Sequence, residues 1–168
     1  MAKIKLNLKE LVEKGDFGKI ELGTSKNELL DLGLKPENWF SNNSMEDSSC
    51  WTYGNFEFYF DSNSRLESIF SDYVTQRLDG GKKIKITDWW LFDKKKISLK
   101  QTIVALLKLK LDFEKKYIQP GYIVLSIPKG IHFGFDFTEN SEKDHSKCTM
   151  TFIEKRKNGS IYLSSTLE

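Results

Sequence analysis

The two histidines of this 168-residue chain, His132 in IHFGFDF and His145 in EKDHSK, each lie near a carboxylate in sequence. An imidazole titrates near neutrality and a carboxylate can orient it, so such pairs are the first place to look for acid-base chemistry. On an extended chain His132 shares a face with Asp136, opposite Ile131, Phe133, Phe135 and Phe137. Four residues along one strand span roughly 13 Å, too far for a direct hydrogen bond. His132 is therefore expected to be a sheet residue without a catalytic role. His145 has Asp144 and Cys148 close by, but a Cys-His nucleophile needs a buried, aligned pair that a polar loop does not specify.

Metal and phosphate chemistry find equally little. Asp136, Glu139, Glu142 and Asp144 offer oxygen ligands without the alternating spacing and glycine turn of a calcium loop. GDFGKIELG precedes a strand and has no phosphate-loop lysine. Cys50 and Cys148 are too far apart for local zinc spacing and too few for a disulfide framework, and are expected to be reduced. No catalytic residue, metal or cofactor is expected.

Charge adds a direction. Residues 1–80 carry 9 Lys/Arg against 14 Asp/Glu, a balance of −5, and residues 81–168 carry 17 against 10, a balance of +7. One half could attract a basic partner and the other an acidic one. DKKKISLKQ and FIEKRKNG, with Trp89 and Trp90 just upstream of the first, are the stretches that a nucleic-acid binder would use. The small net charge of +2 and the single arginine of the second half, Arg156, weigh against it. The N-terminal residues alternate charge and apolarity with no long hydrophobic run, so neither a signal peptide nor a membrane span is expected, and the cytoplasm is the expected location.

These residues must be held by elements that the pattern outlines. Helices are expected near residues 3–14, 25–32 and 98–113; Ser25 with Glu28, and Ser98 with Gln101, have capping-box spacing. LKPENWFSNNSMEDSS reads as a loop pinned by Trp39 and Phe40. Strands are expected across Trp51 to Phe60 with a bend or turn at Gly54, then at Leu66 to Phe70, KIKIT, YIVLSI, IHFGFDF, CTMTFIEK and SIYLS. Several strands run consecutively between the helices, which predicts an α+β fold, an antiparallel sheet with helices packed on one face. GNFEFYFD and KGIHFGFD match, with Phe58 beside Phe133, Phe60 beside Phe135 and Asp61 beside Asp136. The distance from Ser25 to Asp61 is 36 residues and that from Ser98 to Asp136 is 38. The expectation is one domain over residues 1–168, built as a tandem duplication of a helix-then-hairpin unit, about 18–80 and 90–155.

GKIELGTSKNELLDLG followed by WTYGNFEFYFDSNSRLESIF resembles a pattern of small immunity proteins in bacterial contact-dependent and polymorphic toxin systems. The matching residues are Gly18, Leu22, Gly23, Ser25, Leu29, Gly33, Trp51, Tyr53, Gly54, Phe56, Phe58 and Phe60. The tandem helix-plus-sheet arrangement is also similar to the β-lactamase inhibitory protein architecture and to small outer-membrane assembly lipoproteins, but no lipobox cysteine stands near the start. The resemblance implies an immunity protein that neutralises a cognate toxin domain, a nuclease among the options, by direct binding, without membrane or nucleic-acid contact of its own. Residue alternation puts Tyr53, Glu57, Tyr59 and Asp61 on the face opposite Phe56, Phe58 and Phe60, where aromatics beside acids make interface material. Glu67 and Asp72 extend the acidic set toward a basic partner. A nucleic-acid-binding or regulatory adaptor, or a small enzyme without a recognisable motif, are the alternatives.

Overall fold

The computed structural model describes residues 3–40, 44–87, 89–93, 96–119, 121–137 and 144–156. It is an α+β fold dominated by one large antiparallel sheet. The chain begins with β1 (Ile4–Asn7) and α1 (Leu8–Lys14), then α2 (Lys26–Asp31), β2 (Asn38–Phe40), β3 (Cys50–Tyr53), β4 (Phe56–Phe60) and β5 (Leu66–Ser71). It continues through a 3₁₀ turn (Tyr73–Thr75), β6 (Ile84–Thr87), a second 3₁₀ turn (Trp90–Asp93), α3 (Leu99–Lys108), β7 (Glu114–Gln119), β8 (Tyr122–Ile127), β9 (Ile131–Asp136) and β10 (Thr149–Arg156). The sheet has the order β2-β3-β4-β5-β10-β9-β8-β7, while β1 and β6 form a separate parallel pair.

The expected helix over residues 3–14 divides in two. Asn7 accepts hydrogen bonds from the backbone N–H of Lys9 and Glu10 at 3.0 and 3.2 Å, so α1 starts only at Leu8. Ile4 and Leu6 before it follow strand spacing, and their partners in β6 lie some eighty residues away, beyond any local signal. This parallel pair is a correction to a purely antiparallel expectation. Two further strands went unforeseen. β2 lies within the stretch read as a loop, and β7, lysine-rich and at the sheet edge, lies just past the expected end of α3. SIYLS lies outside the described residues.

The two capped helices start where their spacing predicted, but α3 stops at Lys108 and not near residue 113, because the chain turns left-handed at Lys110. Ser25 and Ser98 each accept from the N–H three residues on and have their own N–H bound by the Glu28 or Gln101 side chain. Both helices end alike: Leu34 N–H reaches the Leu29 carbonyl and Leu111 N–H the Leu106 carbonyl, with Gly33 (φ 80°) and Lys110 (φ 53°) left-handed between. Their leucines join one core with α1, Phe17, Trp51, Tyr53, Phe56, Phe58, Ile69, Leu125, Phe133, Phe135 and Ile153. That core lies on the helix-bearing face of the sheet.

The strand registers of the two runs also agree. Thr52 opposes Glu57 and Glu57 opposes Phe70; Ser126 opposes His132 and His132 opposes Glu154. A bulge leaves Glu67 unopposed between β4 and β5, and another leaves Thr151 unopposed between β9 and β10. The N-cap serines bridge to the residue that precedes or starts the last strand of each run, Ser25 to Arg65 and Ser98 to Thr149. β5 and β10 then pair at the centre, Phe70 facing Glu154.

Candidate functional site on the outer sheet face

The face turned away from the helices follows from alternation. On β4, Phe56, Phe58 and Phe60 are buried inward, leaving Glu57 half-buried and Tyr59 37% exposed on the outside. Cross-strand pairing extends these positions into two rows. One row runs Asn38, Thr52, Glu57, Phe70, Glu154, His132, Ser126, Glu114 across all eight strands. The other runs Phe40, Cys50, Tyr59, Ser68, Arg156. Cys50, Val124 and Phe152, although buried, lie on this face and are not part of the core beneath the helices.

At the left of the face, Tyr59 is fixed by chemistry at its tip. Its hydroxyl donates to Glu57 Oε2 at 2.5 Å, and Cys50 lies directly opposite Tyr59 on β3. Burial first, then the neighbouring Glu57, raises the Tyr59 phenol above its ordinary range. Cys50 is pushed up to about 12 by burial and by the Glu57 charge, so it stays a thiol at neutral pH. Phe40 on β2 is 51% exposed, and closes the row at the sheet edge.

At the centre the face is polar and closed. The Arg156 Nε donates to Glu154 Oε1 at 2.9 Å in an ion pair whose side chains are 7% and 5% exposed. Burial raises the Glu154 carboxyl, Arg156 opposes that, and Glu67 adds to it. His132 Nδ1 meets Ser126 Oγ at 2.9 Å, while His132 Nε2 and Ser68 Oγ are buried without hydrogen-bond partners. Desolvation, then the charges of Arg156 and Lys116, hold the His132 imidazole down to about 4. It is neutral at pH 7. Buried polar atoms left unbonded cost stability, and both of these lie on the outer face. Phe152 lies over the centre, 5.4 Å from Phe70 and stacked 6.2 Å from Tyr122.

The candidate residues read from sequence are distributed unevenly. Glu57 and Tyr59 stand together on the outer face as expected. Tyr53 does not: it is fully buried and its hydroxyl donates to the Leu34 carbonyl at 2.7 Å. The reason is the two-residue turn at Gly54-Asn55, which sets Tyr53 directly opposite Phe56, and opposed residues share a face. Gly54 is required there, since at φ 59° a Cβ would lie 2.3 Å from the Asp79 carbonyl oxygen. Asp61 turns its carboxylate onto the backbone N–H of Asn63 and Arg65, both at 2.9 Å, and so shapes the β4–β5 turn. Glu67 is the bulge residue, and exposed Asp72 follows β5, where its charge is felt at Tyr122. Phe40, also read as a core pin, is an exposed edge residue.

The other candidates separate. His145 is half-buried, and Cys148 is fully buried with its thiol donating to the Asp144 carbonyl. Asp136 is exposed beyond His132, and Glu139 and Glu142 lie outside the described residues; among the described residues no group of three potential ligands gathers. Trp89 is buried, and Arg156 is committed to Glu154. Glu154 and Arg156 were missed by sequence reading because Met150, before the β10 bulge, lies in the core, and alternation continued from it without the bulge would have turned Glu154 and Arg156 inward; Ser68 was missed too.

Compared with known proteins, the chain matches no family model, no curated protein and no solved structure. Among the described residues no helix is long and apolar enough to cross a membrane.

Proposed function

We propose that this chain works by binding another protein, as an immunity-type inhibitor that neutralises a cognate bacterial toxin in the cytoplasm. The observation that carries this reading is the outer sheet face, where exposed Tyr59 bonds the half-buried Glu57 carboxylate and exposed Phe40 stands two strands away in the Tyr59 row. Aromatic side chains bury large area at small rotamer cost, and Tyr59 is already held by Glu57, so little freedom is lost on docking. Part of the pattern that resembles immunity proteins, Trp51 to Phe60, falls on the same hairpin. The shifts of Cys50 and His132 run opposite to those of an activated thiolate and a base poised near neutrality, which favours binding over catalysis. We further propose that the chain is a tandem duplication, supported by matching capping boxes, strand registers and bulges in the two runs.

The test is co-expression with the product of the neighbouring toxin-domain gene, together with a binding measurement on purified proteins. Protection of the cells and a complex are expected, with Tyr59→Ala weakening it roughly thirtyfold, about 2 kcal/mol, while circular dichroism stays native. No protection and no complex would remove the immunity reading.

A further inference from the structure

We infer that the free edge of β6 receives an extended strand of a partner protein, alternately apolar and acidic, inserted between β6 and residues 77–79. The inference stands apart from the toxin reading and from the Tyr59 face. Ile4 N–H bonds the Lys83 carbonyl at 2.9 Å and Ile4 is in register with Ile84, so the backbone groups of Lys83, Lys85 and Thr87 turn toward β1 and those of Ile84 and Ile86 turn away. The far edge of β1 is closed, since a Cβ at Gly18 would lie 2.7 Å from the Lys5 carbonyl oxygen. On β6, Ile84 N–H is taken by the Gly80 carbonyl at 3.0 Å, and a Cβ at Gly80 would come within 2.5 Å of the Ile84 carbonyl oxygen. Gly80 thus closes one end of the edge. Beyond it, neither backbone group of Ile86 has a hydrogen-bond partner among the described residues.

Across a groove of about 540 Å³ the chain at 77–79 forms a second wall. Asn55 holds the far side of that wall: its Nδ2 donates to the Arg77 carbonyl at 2.7 Å, its Oδ1 accepts from Asp79 N–H at 2.8 Å, and its own N–H donates to the Asp79 carbonyl at 2.9 Å. Backbone groups of alternate residues in an extended stretch point to opposite sides, so those of Leu78 point away from Asn55, and they too are unbonded among the described residues. Leu78 is only 5% exposed, so water satisfies these groups poorly, whereas an inserted backbone would bond both walls at once. Side chains then set the composition of the strand. Ile84 is buried and Ile86 packs on the core, while Lys85 is exposed on the opposite side, so the added strand alternates between an apolar and a charged side. The titratable groups lining the groove are Lys3, Arg77 and Lys85 against Asp79, a balance of +2 that calls for acids on the charged side. A second copy of β6 would instead bring Lys85 against its own like charge.

The probes are Ac-Glu-Val-Glu-Val-Glu-NH2, the same peptide N-methylated at both valines, and Ac-Lys-Val-Lys-Val-Lys-NH2, each titrated into the full chain labelled for amide NMR and hydrogen exchange. In the free chain the Ile86 amide should exchange fast. The acidic peptide should protect it and shift the Leu78 amide, saturably, while the N-methylated and lysine peptides should bind at least about tenfold more weakly. Lys85→Glu, an exposed substitution that leaves the core untouched, should weaken the acidic peptide and strengthen the lysine peptide. An Ile86 amide already protected in the free chain overturns the inference, because the edge is then filled from within or by a second copy. Equal binding of the acidic and N-methylated peptides overturns it too, since side-chain charge would then suffice without backbone pairing. So does protection confined to another edge such as β7, or no response to the acidic peptide.

Discussion

His132 shows how one side chain can be both legible and misplaced in a sequence. Its strand and its outward direction follow from IHFGFDF, but its burial to 1% exposure and its bond to Ser126 depend on neighbours from β8 and β10. Because its folded pKa is lowered to about 4, the unfolded chain binds more protons between roughly pH 6.5 and 4. The stability it contributes is present above about 6.5 and is lost as pH falls through that window, by up to about 3 kcal/mol. Glu154, with its pKa raised, acts in the opposite sense over part of the same range. Urea unfolding at pH 7 and pH 5 should therefore compare wild type with His132→Gln, in which the Glu154 contribution is shared. The wild type should lose more stability on acidification than the variant, and equal losses would contradict a buried neutral imidazole.

At the scale of an element, β9 carries Gly134 between His132 and Asp136 on the outer face, opposite Phe152 of β10. A Cβ at Gly134 would come within 2.1 Å of the Phe152 ring, which covers the glycine. The ring thus occupies the space that a side chain on β9 would need. Gly134→Ala should destabilise the chain by about 2 kcal/mol, within the range for overpacking a close contact. In a Phe152→Ala background the same substitution should be nearly neutral, a coupling that a double-mutant cycle of denaturation midpoints measures. Equal costs in both backgrounds would place the strain in the backbone instead of the ring contact.

For the whole molecule, the decisive junction is the pairing of β5 with β10. It joins β2 to β5 and β7 to β10 into one sheet, and the core under the helices runs through both. Neither run can open without exposing the edge and core of the other. Calorimetry should show one transition with matching calorimetric and van't Hoff enthalpies. Ile69→Ala, on the inner face beside the junction, should lower that single transition by an amount equivalent to about 2–4 kcal/mol without splitting it. Two resolved transitions would mean that the runs fold as separate units.

Local signals in the sequence determined α2 and α3, because a serine three residues before Glu28 or Gln101 closes a capping box within one turn. They also determined the inward face of β4, because alternating phenylalanines need only the period of an extended chain. The antiparallel class followed from strands that run consecutively. Tertiary structure alone decided the rest. A partner some eighty residues away makes a strand of Ile4–Asn7, and pairing with the adjacent β8 makes one of the lysine-rich β7, whose own residues have no strong extended pattern. A two-residue turn decided that Tyr53 belongs to the core, and a bulge decided that Glu154 and Arg156 share the outer face. The site was half visible because Glu57 and Tyr59 belong to one strand, whereas Phe40 reaches them only across the sheet, where hydrogen-bond register and not sequence proximity sets the neighbours.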